Sequence, residues 1–134
     1  MLSTSLLRLG ALAVLIAPTF GQSVTCISSG VTGDCSAFTT TFCSSSISVL
    51  WAQIAIGNSI SACFATGVEN LKCDLTAINT RDNGDTSPPS IPNCESLLST
   101  VAAECPMGGS GVVAGEYTFT ADPNSGVCHG PLGD

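Results

Sequence analysis

The sequence predicts an α+β sandwich with a mainly antiparallel sheet, held together by disulfides, and three observations lead to this fold class. The apolar patterns change between the period of a strand and that of a helix in the order β–α–β–α–β. Eight cysteines follow an apolar leader. The remaining residues, 22–134, suit one domain.

Residues 1–21 have the features of a removable signal peptide. Arg8 and the amino terminus supply positive charge, and the apolar stretch 9–16 is too short to span a bilayer. Pro18 ends this stretch, and the small residues up to Gly21 suit a cleavage site after that residue. We therefore expect a secreted protein without a membrane anchor; a buried apolar helix is the alternative for the leader.

All cysteines lie after the leader, and an even number in a short secreted chain indicates a disulfide framework. They are Cys26, Cys35, Cys43, Cys63, Cys73, Cys94, Cys105 and Cys128. Zinc is the alternative, but structural zinc sites use closer pairs than Cys35 and Cys43. Cys94 and Cys105 lie on one predicted helix, about 16 Å apart, which exceeds the roughly 7 Å that a bridge allows. Each is therefore expected to bond to another element, and the sequence leaves the pairing otherwise open.

The chain is acidic, because three Lys and Arg residues stand against ten Asp and Glu residues and the net charge is −7. Nucleic acids and anionic membranes bind through basic side chains, so neither is an expected partner. The acidic residues are scattered along the sequence, which favours solubility in an extracellular fluid.

Three elements are predicted in the first half of the domain. Residues 23–28 alternate polar and apolar side chains, as a short strand does. An apolar stripe predicts a helix over 44–56, with or without a continuation towards Cys63. Trp51 lies on that stripe and is expected in the core, with stacking on a sugar as the alternative. Residues 68–79 alternate again and predict a strand.

The second half begins with a predicted loop over 81–89, which is rich in turn residues. Residues 90–105 predict the clearest helix, with Ser90 as its N-cap and Pro92 in its first turn. Residues 112–121 then predict a strand.

Three predictions concern the C-terminal segment. Tyr117 is expected to place its hydroxyl at a wet edge of the last strand, where it is a candidate for ligand contact. Residues 122–126 predict a tight turn that a disulfide through Cys128 ties down. Residues 129–134 are expected to form a short frayed tail.

Residue types for catalysis are scarce, and we expect neither an enzyme nor a cofactor or metal. His129 is the single histidine and lies in a Gly- and Pro-containing tail, so a Ser-His-Asp triad or a metal cluster would depend on it alone. Two carboxylate pairs, Asp82 with Asp85 and Glu95 with Glu104, have the side chains that glycoside hydrolysis needs. The first pair lies in a predicted loop and the second on the polar side of a predicted helix, which favours the interpretation that all four are solvated surface residues. A hydrolase is the alternative.

The segment 115–128 resembles the C-terminal signature of the inky-cap type glycan-binding proteins, a family of small secreted mushroom proteins. In that signature an aromatic strand leads into Ala-Asp-Pro-Asn, followed by a Gly and a final Cys. The matching residues are Ala121, Asp122, Pro123, Asn124, Gly126 and Cys128. The family's Cys-helix-Cys-Gly-Gly block is matched by Cys94, Leu98, Glu104, Cys105, Gly108 and Gly109, and its opening by Cys26–Gly30.

The chain departs from this family pattern at five positions. Tyr117 stands where a Trp is common, Thr120 where a basic residue is common, and Ile27 where the family has an aromatic residue. Cys35 and Cys73 are additions to the family framework, and the resemblance therefore implies that they form an extra disulfide.

The resemblance implies a single-domain αβα sandwich whose antiparallel sheet can extend across a homodimer through a sheet edge. It also implies lectin-like binding of fucosylated or GalNAc-containing glycans, so the expected partners are extracellular glycans or glycoproteins. The expected glycan-binding residues are Tyr117, Asp122 and Asn124; the alternative is that Asp122 and Asn124 only build the turn. The alternative function is a secreted cysteine-rich effector or defence protein that recognises a protein target.

Overall fold

A computed structural model describes residues 22–46 and 54–129. The strands are β1 (Gln22–Cys26), β2 (Ser59–Ala65), β3 (Leu71–Asn79), β4 (Gly109–Val113) and β5 (Tyr117–Ser125). The helical elements are α1 (36–46), in which a 3₁₀ turn, an α-helical turn and a π turn follow one another, and α2 (Ile91–Glu104). The predicted leader, the predicted helical residues 47–53 with Trp51, and the tail 130–134 lie outside the described residues.

The five strands form one sheet in the order β1–β4–β5–β3–β2, and every neighbouring pair is antiparallel. The long strands β3 and β5 pair along their whole length, from Leu71 opposite Ser125 to Asn79 opposite Tyr117. The predicted α+β class with an antiparallel sheet is confirmed.

The core lies between one face of this sheet and the two helical elements. Alternate side chains of β3 and β5 are buried there, namely Cys73, Leu75, Ala77, Tyr117, Phe119 and Ala121. Helix α2 adds Leu97, Leu98 and Val101. Gly111 of β4 permits this close packing, because a Cβ at that position would lie 2.5 Å from Leu97 Cγ.

Both described helical elements lie on the same face of the sheet. A disulfide joins Cys43 of α1 to Cys94 of α2, and Phe38 of α1 stacks on Phe64 of β2 at 5.1 Å between ring centroids. Within residues 22–46 and 54–129, the sandwich therefore consists of one helical layer on one sheet layer.

Four disulfides use all eight cysteines, as predicted. They are Cys26–Cys105, Cys35–Cys73, Cys43–Cys94 and Cys63–Cys128. The Cys35–Cys73 bridge is the extra pair that the resemblance implied, and Cys94 and Cys105 each bond to a different element. Three bridges fasten α1 or the ends of α2, and the fourth fastens the segment after β5 to strand β2.

The start of α2 follows the prediction. The Ser90 hydroxyl accepts a hydrogen bond from the Asn93 amide at 3.5 Å, and a proline lies at the start of the helix. The segment before α1 also begins with a side-chain acceptor, because Asp34 Oδ1 accepts from the Ser36 amide at 2.8 Å. The Ser36 hydroxyl and the Ser36 amide both act on this carboxylate and lower the pKa of Asp34.

Three predicted boundaries are wrong, and in each case long-range strand pairing decided the structure. Residues 112–121 are not one strand, because β4 ends at Val113 and a tight turn leads into β5. Residues 122–126 are not a turn, because β5 continues to Ser125 opposite β3. Pro123 is tolerated there since β4 pairs with β5 only as far as Ala121, so β5 has one neighbour beyond that point.

The third difference concerns the predicted helix over 44–56. Residues 44–46 belong to α1, but residues 54–56 are not helical. The suggested continuation towards Cys63 is wrong, because Ser59–Ala65 forms strand β2. Pairing with β3 and the inward positions of Ile60, Ala62 and Phe64 stabilise this strand.

Candidate functional site

The face of the sheet opposite the helices is mostly polar, with Ile78 and Val112 as apolar members, and its side chains are partly exposed. We call it the open face. Its central members on β3 and β5 are Lys72, Asp74, Thr76, Thr118, Thr120, Asp122 and Asn124. They take this face because successive side chains of a strand point to opposite sides, and the intervening residues are buried.

Four of these residues form a connected group at one end of the open face, which we call the carboxylate–amide cluster: Lys72, Asp74, Asp122 and Asn124. Asp74 and Asp122 are directly opposite each other on β3 and β5. Asn124 Nδ2 donates to Asp74 Oδ2 at 2.9 Å and to Asp122 Oδ2 at 3.0 Å. Lys72 Nζ lies 2.9 Å from Asp74 Oδ2.

These contacts explain how two carboxylates are kept side by side. Like charges directly opposite each other on neighbouring strands are destabilising, and the Asn124 amide and the Lys72 ammonium offset that repulsion at Asp74. Gly108 leaves room for the Asp122 side chain, because a Cβ there would lie 2.9 Å from Asp122 Oδ1. The carboxylate oxygens retain acceptor capacity for further donors.

A row of hydroxyls continues the open face beside the cluster. Ser61 Oγ and Thr76 Oγ1 are 2.8 Å apart, and Thr76, Thr120 and Ser110 occupy the same cross-strand row. Each hydroxyl can both donate and accept a hydrogen bond. Together the cluster and this row present carboxylate acceptors, an amide donor and hydroxyls on one face of the sheet, which suits a polyhydroxylated ligand.

The prediction that the Tyr117 hydroxyl reaches a wet edge is wrong. Tyr117 is fully buried, its hydroxyl donates to the Ser87 carbonyl at 3.0 Å, and its ring lies 6.1 Å from that of Phe119. Burial raises the pKa of this phenol. The reason is register: Tyr117 pairs with Asn79 on the inward face, whereas Asp122 and Asn124 fall on the open face.

The loop 81–89 is fastened to this buried tyrosine. The Arg81 guanidinium lies 5.1 Å from the centroid of the Tyr117 ring and donates to the Ser87 carbonyl at 2.6 Å. It also pairs with Asp85 at 3.3 Å. Ser87 donates from its hydroxyl and its amide to the same Asp85 carboxylate, which lowers the pKa of Asp85.

The two carboxylate pairs considered for glycoside hydrolysis, Asp82 with Asp85 and Glu95 with Glu104, do not lie in surroundings typical of a glycosidase. Asp85 takes part in the contacts that hold its loop, while Asp82 is exposed. Glu95 and Glu104 lie on one helix, about 13 Å apart along its axis. That exceeds the roughly 5–9.5 Å of glycosidase pairs.

A metal-ion site and a membrane-spanning helix are both absent from the described residues. In ranges 22–46 and 54–129, no group of three or more His, Cys, Asp or Glu side chains could hold a metal ion. No helix in the same part of the chain is long and apolar enough to cross a membrane.

The sequence did not single out Lys72, Asp74 or the buried Asn79. Asn79 Nδ2 donates to the Ile54 carbonyl at 2.8 Å and to the Asp85 carbonyl at 3.1 Å, so this amide joins three segments. Lys72 and Asp74 carried a usable signal, since they occupy the polar positions of the alternating segment 68–79. Their relation to Asp122 required the strand register.

Two comparisons with known proteins bear on the family of this chain. The family model described as glycan binding domain Y3 matches residues 34–128. A 68-residue segment is 40% identical to "Antiviral protein CAP" of Coprinus comatus and covers 49% of this chain. The match spans 65% of the length of that relative. All four members of the carboxylate–amide cluster lie within the family match. The chain therefore belongs to the glycan binding domain Y3 family, which confirms its resemblance to small fungal lectin-like proteins.

Proposed function

We propose that this protein is a secreted, non-catalytic lectin that binds glycans on its open face, with Asp122 and Asn124 as contacts and Asp74 beside them. The observation that carries the proposal is the Asn124 amide, which bridges the carboxylates of Asp74 and Asp122 on the side of the sheet opposite the helices. Membership of a glycan-binding family supports a sugar as the ligand.

The chemistry of the cluster suits neighbouring sugar hydroxyls. A carboxylate accepts hydrogen bonds from two hydroxyls, and the hydroxyls of Thr76 and Thr120 in the next row both donate and accept. The internal hydrogen bonds of Asn124 fix the Asp122 and Asp74 side chains before a ligand arrives. This preorganisation lowers the entropy lost on binding. Tyr117 contributes from below, where it supports β5 rather than touching the ligand.

The test is a glycan array with the oxidised protein and three variants. Asp122→Asn removes charge at nearly constant shape, and Asn124→Ala removes the bridging amide. Each is expected to weaken binding at least about tenfold, because a charged hydrogen-bonding group is lost. Thr118→Ala is the matched control, since Thr118 lies on the same strand and face but about 13 Å from Asp122. Equal binding by all four proteins would place the glycan elsewhere.

A defence role is the second candidate, and it is favoured by the name of the Coprinus comatus relative, "Antiviral protein CAP". In this form, glycan recognition directs the protein to a glycoprotein of another organism. A pull-down from tissue of that organism tests this role. Capture of a glycoprotein that an excess of free array glycan abolishes would support glycan-directed defence. Capture that survives the free sugar would favour recognition of the protein itself.

Secretion and self-association complete the proposal. The apolar leader and four disulfides support export into an oxidising compartment. Strands β1 and β2 are the sheet edges of the described residues, and an edge offers unpaired backbone groups to a second copy. Mass analysis of the secreted protein tests the cleavage after Gly21, and sedimentation tests the homodimer.

A further inference from the structure

A groove with a volume of about 400 Å³ lies at the end of the sheet next to the carboxylate–amide cluster. The β2–β3 turn forms one wall and the segment 126–128 forms the other. Hydrogen bonds fix both walls, because Thr66 Oγ1 donates to the Leu71 carbonyl at 2.8 Å and the Gly126 amide donates to the Asn70 carbonyl at 3.1 Å. The groove is therefore a preformed feature of the fold.

Two exposed apolar side chains line this groove. Val68 is 61% exposed and Val127 is 58% exposed, the highest values among the large apolar side chains of the described residues. They come from segments far apart in the sequence and meet in one groove. Isolated exposed apolar residues are ordinary, whereas two that line the same groove offer an apolar surface to a ligand.

The groove and the cluster share a residue. Lys72 lines the groove, its Cε lies 4.0 Å from the Cβ position of Gly126, and its ammonium pairs with Asp74. Two residues of a strand span about 7 Å, so Asp74 is about one sugar unit from the groove. A single ligand can contact both.

We propose that the ligand is an amphipathic glycoconjugate, whose sugar lies on the cluster and whose apolar aglycone lies in the groove between Val68 and Val127. This inference rests on the proposed function. An uncharged aglycone fits better than a fatty acid, because the nearest cation, Lys72, is already paired with Asp74, and Glu69 adds negative charge to the groove.

The test compares methyl and n-octyl β-glycosides of galactose, glucose and N-acetylglucosamine, below their micelle concentrations, by titration calorimetry and NMR. The octyl glycoside of at least one sugar is expected to bind about tenfold or more tightly than its methyl counterpart, because the chain leaves water. Val68→Ser with Val127→Ser is expected to abolish this gain and leave methyl glycoside binding unchanged. Ile56→Ser is the matched control, since Ile56 is 46% exposed and lies outside the groove.

The outcomes separate the two proposals. Equal affinities of octyl and methyl glycosides, no binding of any octyl glycoside, or a gain that persists in the double valine variant overturns the aglycone site. A gain that disappears in Ile56→Ser as well also overturns it. Methyl glycoside binding that Asp122→Asn leaves unchanged instead contradicts the proposed sugar site on the open face.

Discussion

Removal of the Cys35–Cys73 disulfide is expected to destabilise the fold strongly. This bridge joins the segment before α1 to the inward face of β3, and both sulfurs are buried. It is also the pair that the family resemblance implied as an addition. The double variant Cys35→Ala, Cys73→Ala leaves the other three bridges in place and avoids a buried free thiol.

The expected magnitude follows from the loop that the bridge closes. Its cysteines are 38 residues apart, and the chain-entropy relation gives about 4 kcal/mol at 25 °C for a loop of this length. The Cys26–Cys105 bridge closes 79 residues. Because the loop entropy depends on the logarithm of loop length, removal of the Cys26–Cys105 bridge is expected to cost only about 0.6 kcal/mol more.

The assay is guanidinium unfolding at neutral pH, followed by fluorescence and circular dichroism, with mass analysis to confirm the remaining bridges. For a slope of about 4 kcal/mol per M, the midpoint of Cys35→Ala, Cys73→Ala is expected to fall by about 1 M. The midpoint of the matched variant Cys26→Ala, Cys105→Ala is expected to fall slightly further. A shift below about 0.3 M for the first variant would refute the loop-closure reasoning.

Two further predictions concern the loop after β3 and the contact of α2 with β4. Ser87 holds the pKa of Asp85 low, so this group contributes stability above pH about 4 that is lost as the pH falls through its folded pKa. Asp85→Asn is expected to reduce the acid dependence of the unfolding midpoint. Asp82→Asn is the control, because Asp82 has no hydrogen bond in the described part of the chain. Equal pH profiles of the two variants would contradict this prediction. Gly111→Ala is expected to lower the free energy of unfolding by about 1–3 kcal/mol, because its methyl group overlaps Leu97. An unfolding midpoint of Gly111→Ala equal to that of the wild type would contradict this prediction, because it would show that α2 shifts away from β4 with no loss of free energy.

The elements that the sequence predicted best are those with local signals. The helix from Ser90 carries its own cap, its proline and an apolar stripe, and the structure begins it at Ile91. Residues 71–79 of the predicted strand 68–79 form β3 for the same reason, whereas residues 68–70 belong to the turn before it. Residues 122–126 had equally clear turn residues, but pairing with β3 outweighed that local preference.

The candidate site was predictable only in part. Asp122 and Asn124 were singled out by resemblance, yet their neighbours Asp74 and Lys72 come from a strand about 50 residues earlier in the chain. Tyr117 was assigned to the surface because a strand pattern gives two faces without saying which one is covered. The helices decide that, since they pack on the face that carries Tyr117 and Phe119.

The sequence by itself determined the fold class, the disulfide character and the cap of α2, because these depend on composition, local periodicity and motifs within consecutive residues. Glycan binding and the Cys35–Cys73 pair were implied only by the resemblance to a known family. Only the tertiary structure decided the strand order, the other three pairings and the open face with its bridging Asn124. Those depend on contacts between distant segments, whose free energy comes from burial and strand register rather than from local preference.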